Sequence, residues 1–170
     1  PIGWRPPCLR SPSRRAVVAV ARPCRFCFSF WHSWRRRRLA AAEAGLRSLF
    51  VGFESLTPGN LVRSNKRQNL GRDYRAVTDR LHSLGVMING SFVFGMDDDD
   101  EDVFRRTVDW AIEHGITTAT FHIQTPYPGT RLFARMQQQG RMVTHNWDRY
   151  DTRHVVFRPA RLKPDALEDG

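Results

Sequence analysis

The sequence predicts an α/β fold in which parallel strands alternate with helices. Three short apolar runs carry the prediction: Ser48–Glu54, Val86–Gly95 and Ile116–Thr125 each have the composition of a strand buried on both faces. Stretches with apolar side chains at helical spacing separate these runs, and glycines end them. Buried strands that alternate with helices form parallel βαβ units. A doubly wound sheet and part of a (βα) barrel both satisfy this order.

Local signals predict each helix. The segment Leu39–Arg47 favours a helix that stops at Gly45, a plausible C-cap position. A second helix begins at Asp73 and ends before Gly85, a third follows the acidic run and ends at Gly115, and Arg131–Gly140 predicts a fourth. The pattern is less regular further on, although Trp147–Pro159 indicates a short strand. Residues 55–60 are expected to form a turn.

The acidic run Asp97–Asp102 stands at the start of the third helix, where the helix dipole favours negative charge. We expect a solvated helix N-terminus here. A divalent-cation site is the alternative, but the run lacks the alternating ligand spacing and the glycine of a calcium loop.

The net positive charge is confined to the N-terminal segment, because the 17 basic and 17 acidic residues of 39–170 cancel. Of the net charge of +10, all comes from residues 1–38, which hold ten arginines and no acid, since the first acid is Glu43. That segment also contains all three cysteines, without a disulfide pattern. The predicted organisation is therefore a disordered or non-native basic arm (1–38), an α/β part (39–141) and a C-terminal extension (142–170).

The composition of the basic arm suggests two functions. Trp31, Trp34 and Arg35–Arg38 have the chemistry to bind nucleic acid through stacking and phosphate contacts, which makes a non-catalytic nucleic-acid-binding module the alternative function. Arginine-rich, acid-poor N-termini also resemble transit peptides, but the Pro and Cys content argues against targeting. The apolar stretch Ala16–Ala21 is too short to span a bilayer. We expect a cytoplasmic protein without a membrane span.

In parallel α/β folds, ligands bind where the strands end. The first strand ends at Glu54 and Ser55, the second at Gly95, and the third in the proline-stiffened loop "TPYPGT". A carboxylate, a glycine that permits close backbone approach and a rigid loop suit a small ligand. Neither GxGxxG nor GxxxxGK[ST] occurs, which argues against a Rossmann or P-loop site.

Three motifs carry a resemblance to a known family. "LFVGFES", "GSFVFGMDDD" and "FHIQTPYPGT" resemble, in order and spacing, the fourth, fifth and sixth strands of the radical S-adenosylmethionine (radical SAM) barrel, most closely in the branch with a cobalamin-binding domain. The resemblance covers roughly residues 39–170. It implies a partial (βα) barrel of three βα units from an enzyme that cleaves S-adenosylmethionine reductively to a 5′-deoxyadenosyl radical, with a 4Fe-4S cluster and possible use of cobalamin.

The resemblance also implies roles for individual residues. Glu54 and Ser55 would contact the sugar or the methionine part of the cofactor, and Lys66 with Arg67 would meet its carboxylate. The adenine would lie along the second strand and the loop after the third, against Phe92, Phe94, Gly95, Thr125, Pro126 and Tyr127. His122 either faces substrate or is a hydrogen-bonded core histidine. The catalytic residues and the small-molecule substrate stay undetermined.

The cluster half of the resemblance is incomplete. The family holds its cluster with three cysteines in C-x3-C-x2-C. Only Cys24 and Cys27 match here, because Val20 stands where the motif has its first cysteine. About two βα units are also absent between the cysteines and the fourth strand. We therefore expect a fragment that is inactive by itself. Its first strand would be an exposed sheet edge through which the chain could self-associate.

Overall fold

The computed structural model describes residues 39–170, and it contains the predicted order of helices and strands. The predicted strands are present within two residues of their expected ends. In chain order the elements are α1 (39–43), β1 (Ser48–Glu54), α2 (Pro58–Arg63), a 3-10 helix (Arg67–Asn69), α3 (Tyr74–His82), β2 (Met87–Phe94), α4 (Val103–Glu113), β3 (Thr118–Ile123), α5 (Arg131–Gln138), a 3-10 helix (Trp147–Arg149) and α6 (Pro164–Asp169).

The three strands form one parallel sheet in the order β1-β2-β3. Ser48 lies opposite Met87, and Asn89 lies opposite Thr118. The predicted parallel α/β arrangement is therefore confirmed as a three-stranded open sheet with helices. All three strands end on the same side, since parallel strands run in one direction.

One face of the sheet forms the main core; we call it the helix-covered face. Leu49, Ile88 and Phe92 are buried there together with Leu81 of α3 and Ala111 of α4. The ring of Phe92 stacks on that of Phe53, with centroids 5.3 Å apart. Apolar burial of this kind supplies most of the free energy that holds a sheet to its helices.

The opposite face carries mostly polar side chains; we call it the polar face. Because side chains alternate along a strand and directly paired residues share a face, it contains every second residue of β2 and β3. Its members on those strands are Met87, Asn89, Ser91, Val93, Thr118, Thr120 and His122.

Two helices were missed by the sequence analysis. The predicted turn at residues 55–60 instead contains the start of α2, which has Pro58 in its first turn, and α6 begins in the same way at Pro164. Both are only six residues long, too short to show helical periodicity.

The C-terminal residues pack into the fold. Val155, Val156, Phe157, Leu162 and Leu167 are buried in two clusters beside α4 and α5. The short strand predicted within Trp147–Pro159 is wrong: the segment begins as a 3-10 helix, and its pairing is a single antiparallel bridge between Met142 and Phe157.

Within residues 39–170, no helix has both the length and the apolar character needed to cross a membrane.

Candidate functional site

A cleft of about 730 Å³ lies where the strands end. The loops that follow β1, β2 and β3 form its rim, and α5 forms one wall. Its lining combines strand-end residues with arginines: Glu54, Arg63, Val93, Met96, Asp97, His122, Gln124, Thr125, Tyr127, Arg131 and Arg135 are among them. Three of the predicted site residues, Glu54, Thr125 and Tyr127, therefore share one cleft.

Glu54 occupies an irregular end of β1. The register of β1 against β2 shifts between Gly52 and Glu54, and Glu54 has a φ of 69°, in the left-handed region that non-glycine residues rarely adopt. Its Oε1 accepts a hydrogen bond from Lys66 Nζ at 2.9 Å. Strained backbone of this kind is typical of functional positions, and here it brings the carboxylate to the cleft.

Ser55 is buried, and its side chain is already engaged. Its Oγ accepts hydrogen bonds from the backbone N–H of Thr57 at 3.1 Å and from Asn60 Nδ2 at 3.4 Å. Ser55 thus connects the end of β1 to α2.

Phe92 and Phe94 point to the helix-covered face. Phe92 is 1% exposed, and the Phe94 ring lies 4.9 Å from that of Phe104, centroid to centroid. Both side chains belong to the hydrophobic core, so these two positions present only backbone to the cleft side of the sheet.

Gly95 ends β2 with a φ of +90° and needs to be glycine. A Cβ at this position would lie 2.6 Å from Cδ2 of Leu167. Its N–H donates to Asp99 Oδ2 at 3.0 Å. The glycine allows the chain to turn tightly over α6 at the cleft rim.

The acidic run differs from its prediction, because most of its carboxylates are paired and one is buried. Asp99 is 0% exposed, and its burial raises the pKa of the carboxyl to about 6 despite three N–H donors. Asp97 pairs with Arg141 at 2.8 Å, Asp98 with Arg63, and Asp100 with Arg106 at 2.8 Å. The expectation of a solvated helix N-terminus therefore holds only for the end of the run, where Asp100, Glu101 and Asp102 are exposed and Asp102 is the N-cap of α4. It is wrong for Asp99, which is enclosed.

The loop after β3 is held by local hydrogen bonds. Thr125 Oγ1 donates to the Ile123 carbonyl at 3.1 Å, and Thr130 Oγ1 donates to the Tyr127 carbonyl at 2.6 Å while it caps α5. Pro126 is fully buried, whereas Tyr127 is 45% exposed. The loop thus presents Thr125 and Tyr127 from a rigid base.

His122 is hydrogen-bonded, as expected of a core histidine, but it also lines the cleft. Its Nδ1 lies 3.2 Å from Thr152 Oγ1, and the residue also lines the cleft. It is hydrogen-bonded and half-buried, with a position on the polar face.

Several site residues were missed by the sequence analysis. Gln124 lines the cleft, and its Oε1 is buried without a hydrogen-bond partner among the described residues. Arg131 and Arg135 of α5 add positive charge to the wall. The position of Gln124 next to the "TPYPGT" motif was the available signal.

Part of the predicted site lies outside the described residues. Cys24, Cys27 and the basic arm fall within 1–38. Within residues 39–170, no group of three or more His, Cys, Asp or Glu side chains is arranged to hold a metal ion.

Comparison with known proteins relates the chain to enzymes. It is 39% identical over 127 residues to a bacteriochlorophyllide d C-12(1)-methyltransferase of Chlorobaculum tepidum, a match over 75% of this chain and 27% of that protein. It is 28% identical over 122 residues to a hopanoid C-3 methylase of Methylococcus capsulatus, over 71% of this chain and 22% of the methylase. It is 23% identical over 128 residues to an anaerobic magnesium-protoporphyrin IX monomethyl ester cyclase of Cereibacter sphaeroides, over 75% of this chain and 20% of the cyclase.

The chain spans at most 27% of the length of these curated relatives. No protein-family model matches it. The fold and the relatives together define the class as an α/β segment homologous to methyltransferases and a cyclase.

Proposed function

We propose that residues 39–170 are the S-adenosylmethionine-binding part of a radical SAM enzyme and correspond to strands four to six of its barrel. The observation that carries the proposal is the convergence of the strand-end motifs on one cleft, where Glu54, Thr125 and Tyr127 meet. The parallel strand order and the similarity to methyltransferases support it. Ligands of parallel α/β folds bind at this end of the strands.

The residues present fit S-adenosylmethionine. The unpartnered Gln124 Oε1 is a buried acceptor at the cleft, and the amino group of adenine is a matching donor. Glu54, which lines the cleft, can accept hydrogen bonds from ribose hydroxyls. The bound cofactor supplies the radical chemistry, while these residues bind and orient it.

Lys66 is proposed to adjust the position of Glu54. Its ammonium group holds Glu54 Oε1 at 2.9 Å, and the two side chains are only about a quarter exposed, 27% for Lys66 and 24% for Glu54. The pairing engages Oε1 and leaves the second carboxylate oxygen available for a ligand hydroxyl.

The described residues do not fit an iron–sulfur cluster, because they provide no set of three suitable ligands. Cys24 and Cys27 remain proposed ligands, and cobalamin remains a proposed cofactor of the whole enzyme.

For the whole enzyme we propose methyl transfer to a small molecule in the cytoplasm. The relative with 39% identity is named for methyl transfer to bacteriochlorophyllide d, and the hopanoid relative is also named as a methylase. These names favour methylation over cyclisation.

Calorimetric titration with S-adenosylmethionine tests the proposal. We expect saturable binding by the wild-type chain and binding weaker by about tenfold in Gln124→Ala, the effect of losing roughly one hydrogen bond to a buried acceptor. The matched control is Gln137→Ala on the exposed side of α5, which should bind like wild type. Absence of binding by the wild-type chain, or equal affinities for all three proteins, would overturn the proposal.

Anaerobic reconstitution with iron and sulfide provides a second test. We expect no stable cluster absorbance and no cleavage of S-adenosylmethionine by the reduced chain. A brown protein that cleaves the cofactor would instead show that this chain holds a working cluster.

A further inference from the structure

Two buried polar side chains join the loop after β2 to α2. Asn60 of α2 is 1% exposed and Asp99 is 0% exposed. Asn60 Nδ2 donates to Asp99 Oδ1 at 2.7 Å across a sequence separation of 39 residues, and Asn60 Oδ1 accepts from the backbone N–H of Asp98 at 3.0 Å. The amide side chain thus uses both of its ends on one loop.

The second carboxylate oxygen of Asp99 fixes the strand end itself. Asp99 Oδ2 accepts from the N–H groups of Gly95 at 3.0 Å and Met96 at 2.9 Å. The carboxylate of Asp99 therefore connects the two residues that follow β2 to α2. A buried carboxylate is costly unless its acceptors are filled, and here three N–H donors fill them.

Asn60 also reaches the end of β1. Its Nδ2 lies 3.4 Å from Ser55 Oγ, and Ser55 directly follows Glu54. The surface ion pair of Arg63 with Asp98 runs parallel to this connection, but its Arg63 side chain is 46% exposed, so it adds little.

We propose that Asn60 and Asp99 act as a buried clamp that positions the rim of the cleft, by holding the Met96 side of the rim at a fixed distance from the Glu54 side. Asp99 is a positioning residue, since it does not line the cleft and acts through Gly95 and Met96. Asn60 does line the cleft, but both ends of its amide are bonded to Asp98 and Asp99, so it too acts through this loop. That the positioned ligand is S-adenosylmethionine rests on the proposed function. The clamp itself rests on hydrogen bonds within this chain.

The direction of each hydrogen bond makes the clamp testable by exchanging its two members. Asp99→Asn places the new NH2 group against an N–H donor, either that of Asn60 or those of Gly95 and Met96. Asn60→Asp places a second carboxylate against that of Asp99. The double variant Asn60→Asp with Asp99→Asn restores the pairing, because the amide now at position 99 donates to the carboxylate now at position 60. The oxygen of that amide still accepts from the N–H groups of Gly95 and Met96. A pair that acts as a unit shows this non-additivity.

Amide hydrogen exchange gives the first readout. We expect the amides of Gly95, Met96 and Asp98 to exchange roughly tenfold faster in each single variant, with those of Leu81 and Phe92 unchanged, because local openings need not unfold the core. The double variant should return to within about twofold of wild type. The matched control, Asp109→Asn on exposed α4 surface, should change nothing.

The affinity for S-adenosylmethionine gives the second readout. The affinity of each single variant should be at least about fivefold lower than that of the wild type, and the double variant should regain the wild-type affinity. Equal acceleration of core and rim amides, or no recovery in the double variant, would overturn the clamp. Loosened amides with unchanged affinity would overturn its role in binding.

The two proposals can fail separately. If the wild-type chain does not bind the cofactor, the proposed function fails, while the exchange pattern still decides whether the clamp exists. If a single variant does not fold, Asn60→Ser supplies the same comparison, since it removes the bond to Asp99 and leaves those from Gly95 and Met96 in place.

Discussion

The helix-covered face and the polar face of the same three strands differ in what they contribute. The first buries Leu49, Ile88 and Phe92 against α3 and α4. The second carries Asn89, Ser91, Thr118 and Thr120, and its last residues Val93 and His122 line the cleft. Stability is therefore expected to depend on one face, and ligand chemistry on the end of the other.

The largest effect is expected from Phe92→Ala on the helix-covered face. Phe92 is 1% exposed and stacks on both Phe53 and Phe121, so truncation leaves a cavity in the core. The free energy of unfolding should fall by about 3–5 kcal/mol in urea titrations. Phe121→Ala, at a position that is 46% exposed, serves as the control and should cost clearly less. Equal losses would contradict the contrast between core and edge.

The next effect is the pH dependence contributed by Asp99. Burial raises its pKa from 3.8 to about 6, so the folded state binds this proton more tightly than the unfolded state. The resulting stability is fully present below 3.8 and is lost as the pH rises through about 6, by up to about 3 kcal/mol. The groups around the carboxylate are the Asn60 amide, the N–H groups of Gly95 and Met96, and the Asp100 carboxylate.

Comparing wild type with Asp99→Asn between about pH 5 and pH 8 isolates this contribution. Asp151, whose pKa is lowered to about 2 by the Arg153 N–H, does not titrate in that range. The wild type should lose stability relative to the variant as the pH rises. A constant difference would show that Asp99 titrates near its ordinary value.

An intermediate effect is expected from Gly95→Ala at the rim. The new Cβ would meet Leu167 at 2.6 Å, and alanine at a φ of +90° is strained. Thermal or urea unfolding should show a loss of about 1–3 kcal/mol. Gly129→Ala, where φ is +80° but no atom lies within 4 Å of the Cβ, separates backbone strain from the clash. Identical losses in the two variants would mean that α6 shifts to relieve the contact of the new Cβ with Leu167.

The smallest effect is expected from Ser91→Ala on the polar face. Ser91 is 8% exposed, and its hydroxyl makes no hydrogen bond with the described residues. Removing a buried hydroxyl that has no partner leaves no new unsatisfied group, so the unfolding free energy should change by no more than about 0.5 kcal/mol. A loss comparable to that of Gly95→Ala would show that the polar face also stabilises the fold.

Local sequence signals predicted the strands and the longer helices, because apolar runs and helical spacing act over a few residues. They could not predict the burial of Asp99, since its partner Asn60 lies 39 positions away. A row of four aspartates has the same local appearance whether its members are solvated or enclosed. Glu54, Thr125 and Tyr127 were predictable because the end of a parallel strand is a recognisable place.

The sequence separation of Asn60 and Asp99 also bears on the order of folding. A bond across 39 residues can form only after the intervening chain is closed, which carries an entropic cost that nearby pairs avoid. The pairing of β1 with β2 supplies that closure, so the side-chain bond is expected to form after the transition state. Its loss should then accelerate unfolding and leave the rate of folding nearly unchanged.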